Sequence, residues 1–433
     1  MQPNTISSSQ SAVEGSSLNK NDNNNTLSRQ QQQQHEGLNT SSDSSSSFSS
    51  PFLLSDDQIR KLGIEDHRLE WYRRRHYQNC FALDTWYNQL DKYTFRTMST
   101  ELKFEEAKAL ISLIKLNQSI CSSRSEWNRT TREHPQVTNS DHRLTDSEME
   151  LLKRIEERID QCMKQHQDVF RNGAFVKLNT RSPKDVPWRE HDNSIYQQLV
   201  QIEMNQLNEK TPNNVYVAFL KAMNKSMRVR NGKEALELLG RSQRIYEDLQ
   251  KNTEFGEELY DSKIIIREWI DEVIENPQYE FRCFVHENHL NAISQYFSDV
   301  KFQELCDRKL EIQQQINEFF QHTVLTSTTH SSFVIDFFVS PTRGVMVIEL
   351  NPFHIGAGAC LFSWKQDRQI MMFGPQEFRI KEQNADESIY KSFLTVPWEK
   401  YLVLHHNVQS PNYSKEELLK RKQVKEESKC VLA

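Results

Sequence analysis

The chain has 433 residues, carries a net charge of −6 and is 36% hydrophobic and 26% charged, which is enough for one large or two ordinary domains. The acidic balance argues against a protein that holds nucleic acid by bulk attraction to phosphate, so no direct nucleic-acid partner is expected. Seven cysteines form no CxxC pair and no Cys/His cluster of zinc spacing, which leaves free thiols rather than zinc or a disulfide framework.

Residues 1–52 are rich in Ser, Asn and Gln, with runs at Asn23 to Asn25 and Gln30 to Gln34. Such a segment buries too little apolar surface to offset its ordering entropy and is expected to be a disordered tail. With no signal-peptide core and no apolar run near the ~20 residues of a membrane span, a non-secreted, cytoplasmic protein is expected. Residues 53–410 are assigned to one folded domain and 411–433 to a charged tail. Ser55 to Gln78 reads as helix, and Phe104 to Ile114 carries apolar residues at helical spacing; Asn117 to Arg143 reads as a polar loop. Thr145 and Glu148 make a capping box ahead of a stripe at Leu151, Leu152, Ile155, Ile159 and Met163, which predicts an amphipathic helix. Strands are predicted at Ala174 to Asn179 and Asn214 to Leu220, with a hydrophilic helical span between them. Gly232 to Leu249 and Glu257 to Ile274 read as helical. Tyr279 to His286 and Leu290 to Gln295 follow as a strand pair joined by Glu287, Asn288 and His289, and Phe302 to Phe320 as another helix. Without a regular βαβ rhythm, the fold class is α+β, in one two-lobed unit without internal repeats.

The segment Phe333 to Pro352 reads as a β-hairpin around Ser340-Pro341-Thr342-Arg343-Gly344, where Pro presets φ and Gly accepts φ > 0. If Ser340 pairs with Val345, Asp336 faces Glu349, and Asn351 shares the face of Glu349. Like charges across a ladder destabilise it. A divalent cation would remove the conflict, and Asp, Glu and Asn oxygens are what Mg²⁺ accepts when it also bridges phosphates. A wet hairpin face is the alternative. Phosphates also need positive charge. The chain has eleven glycines, no GxxxxGK[ST] and no GxGxxG, so lysines and arginines within strands are the other source. Lys177 within AFVKLN, Lys221 closing NVYVAFLKAM and Arg282 within YEFRCFV outline a phosphate and metal cleft between sheets; for Lys177 a solvent-facing edge position is the alternative.

Four stretches together resemble the successive motifs of the cell division cycle protein 123 family: GAFVKLNTRSPKDVPW (Gly173 to Trp188), YEFRCFVHENHLNAISQ (Tyr279 to Gln295), FVIDFFVSPTRGVMVIELNPF (Phe333 to Phe353) and LFSWKQ (Leu361 to Gln366). HYQNCFALDTWY (His76 to Tyr87) is similar to that family's opening segment, so the likeness spans Tyr77 to Tyr401. The resemblance implies an ATP-grasp-like, two-lobed fold with ATP and Mg²⁺ between the lobes. It also implies a role as assembly chaperone for eukaryotic translation initiation factor 2, gripping the γ subunit so that the α subunit can join. On that reading Lys177 contacts phosphates and Arg282 lies near the triphosphate. Asp336, Glu349 and Asn351 hold the metal, and Lys184 and Asp185 lie near the nucleotide or the partner. This chain departs from the family pattern in having Glu349-Leu350 where Asp-Phe is usual, Thr180-Arg181-Ser182 where an aromatic is usual, and Lys365-Gln366 in place of an acidic pair.

Cys430-Val431-Leu432-Ala433 fits a C-a-a-X box behind Lys420, Arg421, Lys422, Lys425 and Lys429, although Glu416, Glu417, Glu426 and Glu427 dilute the charge. Prenylation of Cys430 would place the chain at a cytosolic membrane surface. Two rivals to the chaperone reading stand: a divergent ATP-grasp ligase or kinase, and a prenylated scaffold with a degenerate ATP site.

Overall fold

The computed structural model describes residues 54–122, 143–189 and 195–386. The N-terminal tail, most of the loop expected after Asn117, the charged C-terminal tail and Cys430 lie outside the described residues. Two sheets organise the rest. Strands β1 (Thr97–Glu101), β2 (Ala174–Leu178), β3 (Arg228–Val229) and β4 (Lys263–Glu268) form an antiparallel sheet in the order β1-β4-β2-β3. Strands β5 (Glu280–His286), β6 (His289–Gln295), β7 (Phe333–Ser340), β8 (Gly344–Pro352) and β9 (Glu377–Arg379) form the second, ordered β8-β7-β5-β6-β9, with only β9 parallel to its neighbour.

Each sheet has its own apolar packing. The helix Asp146–Gln165 begins with the predicted capping box: Thr145 Oγ1 accepts from Glu148 N at 3.2 Å, and Glu148 Oε2 accepts from Thr145 N at 2.9 Å. Its stripe of Leu152, Ile155 and Ile159 packs with Leu110 and Ile114 of the helix Phe104–Ser122 against Val176, Leu178, Ile264 and Ile266 of the four-stranded sheet. Against the five-stranded sheet, Ile312 and Ile316 of the helix Gln303–Phe319 meet Phe281, Cys283, Ile293, Ile335, Phe337 and Leu350. The α+β class follows directly from these layers.

Two expected elements are of the other type. Residues 214 to 220 lie inside a helix, Pro212–Ser226, whose N-cap Thr211 accepts from Asn214 N at 3.2 Å and whose first position is the proline. Val215, Tyr216, Ala218, Phe219 and Leu220 are all buried there, so the apolar stripe is too wide to show a 3.6-residue period. The span 257 to 274 is not one helix. It contains a short 3-10 turn, then β4, then the helix Asp271–Glu275. Ile264, Ile265 and Ile266 are fully buried, as β-branched residues are in a strand covered on both faces. The 232 to 249 span divides into Gly232–Leu239 and Gln243–Thr253.

Both predicted hairpins form. His286 pairs with His289, so β5 and β6 are joined by two residues only, Glu287 and Asn288, both at positive φ. In the second hairpin Ser340 pairs with Gly344 rather than Val345, Gly344 sits at φ +77°, and Ser340 Oγ accepts from the amides of Thr342 and Arg343. A β-bulge at Ile348 then adds one residue to β8, and Asp336 faces Glu349 after all.

Candidate functional site

Period-2 alternation decides where charge goes. In β2 and β4 the residues Val176, Leu178, Ile264 and Ile266 fill the core of the four-stranded sheet, which turns Lys177 and Arg267 to its other side. In β5, Phe281 and Cys283 point to the helix-covered side, which leaves Glu280 and Arg282 on the opposite one. Register completes a charged row: Ser294 of β6, Arg282 of β5, Asp336 of β7 and Glu349 of β8 lie side by side across the five-stranded sheet.

The row is joined to the other sheet by side chains. Lys177 Nζ donates to Glu349 Oε1, and Arg267 donates to the Ile348 carbonyl at 2.9 Å and to Thr94 Oγ1 at 2.8 Å. Thr94 Oγ1 in turn donates to the Val347 carbonyl at 2.7 Å. Within the row, Arg282 makes a bidentate pair with Asp336 at 2.8 and 2.7 Å and donates a third bond to the Gly358 carbonyl. Lys184 Nζ lies 3.3 Å from Tyr296 Oη and over the Tyr296 ring.

These surroundings set the ionisation states. Burial opposes the charge of Glu349, but Lys177 and Lys184 outweigh it and hold the carboxyl down at about 2. Burial wins at Lys177, whose ammonium falls below the usual lysine range despite Glu349, and at Arg267, which is pushed down to about 10. Lys184 is raised, because Tyr296, Glu280, Glu349 and Asp336 together overcome its desolvation. Glu280 goes the other way: burial, partly offset by Lys184, lifts its carboxyl to about 7. Three groups here are buried without a hydrogen-bond partner among the described residues: Glu280 Oε1, Asn351 Nδ2 and Arg267 Nε.

Of the residues singled out in the sequence, Lys177, Lys184, Arg282, Asp336, Glu349 and Asn351 come together in this cleft. Lys177 is not an edge lysine, since β2 lies between β4 and β3 and the side chain is 2% exposed. Lys221 is not in the cleft: it lies on the helix Pro212–Ser226 and its nearest carboxylate is Glu275, at 3.9 Å. Asp185, next to Lys184, caps a helix, accepting from Ser242 Oγ at 2.5 Å and Gln243 N at 2.8 Å. Sequence reasoning missed Arg267, Glu280 and Tyr296. The alternation of Glu280 with Arg282 could have flagged the first strand position; nothing local marks the others.

Among the described residues, no three His, Cys, Asp or Glu side chains gather closely enough to hold a metal unaided. The hairpin offers two carboxylates and an amide, and Lys177 and Arg282 engage the carboxylates. The set fits a hard cation such as Mg²⁺ that takes its remaining ligands from phosphates and water, with the Asn351 amide oxygen as a further donor atom; the unpartnered Asn351 Nδ2 is a hydrogen-bond donor, suited to a phosphate oxygen rather than to the cation. Among the described residues, no helix is long and apolar enough to cross a membrane.

A family model described as D123 matches residues 204–420. The chain is similar to the translation initiation factor eIF2 assembly protein of Dictyostelium discoideum, with 29% identity over 196 residues, covering 44% of this chain and 42% of that one. Its counterpart in Candida albicans is 26% identical over 253 residues, covering 56% of this chain and 61% of the other. The chain therefore matches about half the length of these relatives, 42% and 61%. Among solved structures it is similar to Cdc123 from Schizosaccharomyces pombe, at 17% identity and a TM-score of 0.46, covering 71% of this chain and 97% of that one.

Proposed function

The chain belongs to the D123 family, and from that premise we propose that it is an ATP-binding and Mg²⁺-binding assembly factor for eukaryotic translation initiation factor 2, acting on the γ subunit. Support for the partner comes from the relatives, which are named as eIF2 assembly proteins. Support for the ligand comes from one observation above the rest. Lys177, almost wholly removed from water, reaches from one sheet to Glu349 on the other, beside the Arg282–Asp336 pair. A cation buried across an intersheet gap is costly as a structural element and suits a site where a polyanion completes the neutralisation.

In this proposal Lys177, Lys184 and Arg282 orient the phosphates, while Glu349, Asn351 and Asp336 hold Mg²⁺. The metal, when bound, supplies neutralisation of phosphate charge. A nucleotide held by both sheets would favour one arrangement of them, as any ligand selective for one state must, and the assembly role needs no turnover. An ATP-grasp-like architecture belongs to the same proposal. Prenylation of Cys430 remains a separate one, checked by intact mass of the protein isolated from its own cells.

Calorimetry with ATP, with and without Mg²⁺, tests the ligand. Binding that requires Mg²⁺ and a stabilisation of about 2.7 kcal/mol at 100-fold excess over Kd are expected; no heat and no shift in melting temperature would sink the nucleotide half. Recovery of the γ subunit from cell extract on the immobilised full chain tests the partner, and its absence beside a positive relative run in parallel would sink that half.

A further inference from the structure

Between β2 and the short helix Val186–Arg189 the chain runs through a loop, Asn179 to Asp185, that is fastened at both ends. At its start Asn179 N donates to the Lys263 carbonyl at 3.0 Å, and the Asn179 carbonyl accepts from Leu83 N at 2.9 Å. Thr180 Oγ1 then donates to Asp248 of the helix Gln243–Thr253. At its end Asp185 returns to the same helix: Oδ1 accepts from Ser242 Oγ at 2.5 Å and Oδ2 from Gln243 N at 2.8 Å. The helix is a splint for the loop. Lys184 lies between these anchors, and its Nζ crosses to the other sheet, 3.3 Å from Tyr296 Oη and 5.1 Å from the centre of its ring. Arg282 Cζ lies 5.0 Å from the same ring centre, so the loop brings a second cation to a place where the five-stranded sheet already holds one.

The helix has its own N-cap in Ser242, whose Oγ accepts from Ile245 N at 3.2 Å. Asp185 takes the serine's hydroxyl hydrogen and the first amide of the helix, so both its oxygens are bound to a second element. A carboxylate at a helix N-terminus is stabilised, and the amides there partly neutralise its charge. It can therefore stand one residue from a phosphate-binding lysine without repelling the ligand. A lysine side chain carries about 2 kcal/mol of rotamer entropy, so how firmly its Cα is held decides how often the ammonium is found over the cleft. Asp185, the adjacent residue, supplies that fixed point.

We propose that Asp185 is a positioning residue: its two bonds to the start of the helix Gln243–Thr253 hold Lys184 across the cleft, and it touches no ligand itself. That the held ammonium serves the phosphates of ATP rests on the function proposed above; that Asp185 holds it does not. The test is a double-mutant cycle on the full chain, with Mg²⁺-ATP affinity measured by calorimetry for the parent, Lys184→Ala, Asp185→Ala and the double variant. Lys184→Ala is expected to weaken binding roughly tenfold or more, and Asp185→Ala roughly two- to tenfold. In the Lys184→Ala background, Asp185→Ala should cost nothing further. A residue that only braces the fold would weaken both backgrounds alike, so additive losses overturn the inference, as does unchanged affinity in either single variant. Asp185→Asn keeps one acceptor and takes the place of Asp185→Ala in the cycle if the alanine variant does not fold. If the parent binds no ATP, the nucleotide reading fails and the tether is read without ligand. The readout is then the rate at which an amine-acetylating reagent labels Lys184 relative to the exposed Lys153, followed by peptide mass spectrometry. Faster labelling of Lys184 in the Asp185 variant than in the parent supports the tether, and equal rates refute it.

Discussion

Within the five-stranded sheet, charge is matched along the ladder: Arg282 and Asp336 sit opposite each other on adjacent strands, and their side chains are 9% and 2% exposed. Across the gap to the four-stranded sheet the match is looser. Lys177 is 2% exposed but its partner Glu349 is 23% exposed, and Lys184 helps to hold that carboxyl down without pairing with it. Fixed hydrogen-bond geometry on neighbouring strands stabilises the first pair. The second depends on how two separately packed sheets meet, which is where a ligand can compete. Buried pairs of the first kind hold a fold together, whereas those of the second kind leave room for binding.

Four substitutions would break or sharpen that contrast. Asp336→Ala leaves Arg282 buried without its carboxylate and should cost about 3–5 kcal/mol in urea unfolding; a loss below about 1 kcal/mol would mean that water reaches the pair. Glu280→Gln should act through pH. A carboxyl that titrates near 7 in the folded chain and near 4.5 when unfolded binds more protons folded, so stability is full below about 4.5 and falls as pH rises through about 7. That loss is at most about 3 kcal/mol. The glutamine variant should therefore be the more stable protein at pH 8 and show a flatter melting profile between pH 5 and 8; parallel profiles would contradict the assignment. Lys177→Met should cost only about 1–3 kcal/mol, since Glu349 keeps partial access to water and other cations nearby. If it matched Asp336→Ala, the two kinds of pair would not differ. Thr145→Ala, far from the cleft, removes a cap worth about 1 kcal/mol by circular dichroism melting and should leave ligand binding unchanged.

Strong local signals carried much of this architecture. The capping box at Thr145 and Glu148, the alternation of β5 and the turn at Ser340 to Gly344 each dictate local structure without help from distant residues. Pro212–Ser226 and β4 were misread because elements buried on nearly all sides lose their period, although Thr211-Pro212 and the run of three isoleucines were usable signs. Six of the eight cleft candidates come together because β-register propagates from a turn. Lys221 was lost with the wrong strand, and Asp185 was claimed by the nearer need of a helix end. Arg267 and Tyr296 owe their place to packing between elements far apart in the chain, which no local pattern encodes.

The bulge at Ile348 works as a phase shifter between the turn and the cleft. Extended without it, the pairing of Ser340 with Gly344 would set Ile348 opposite Asp336 and Glu349 opposite Ile335, a residue of the apolar core. The one extra residue moves the carboxylate out of that core, and the Ile348 carbonyl beside it accepts from Arg267 of the other sheet. A more regular hairpin would be a better ladder and would have no charged row, so the binding chemistry of this chain depends on a single irregularity in its most regular element.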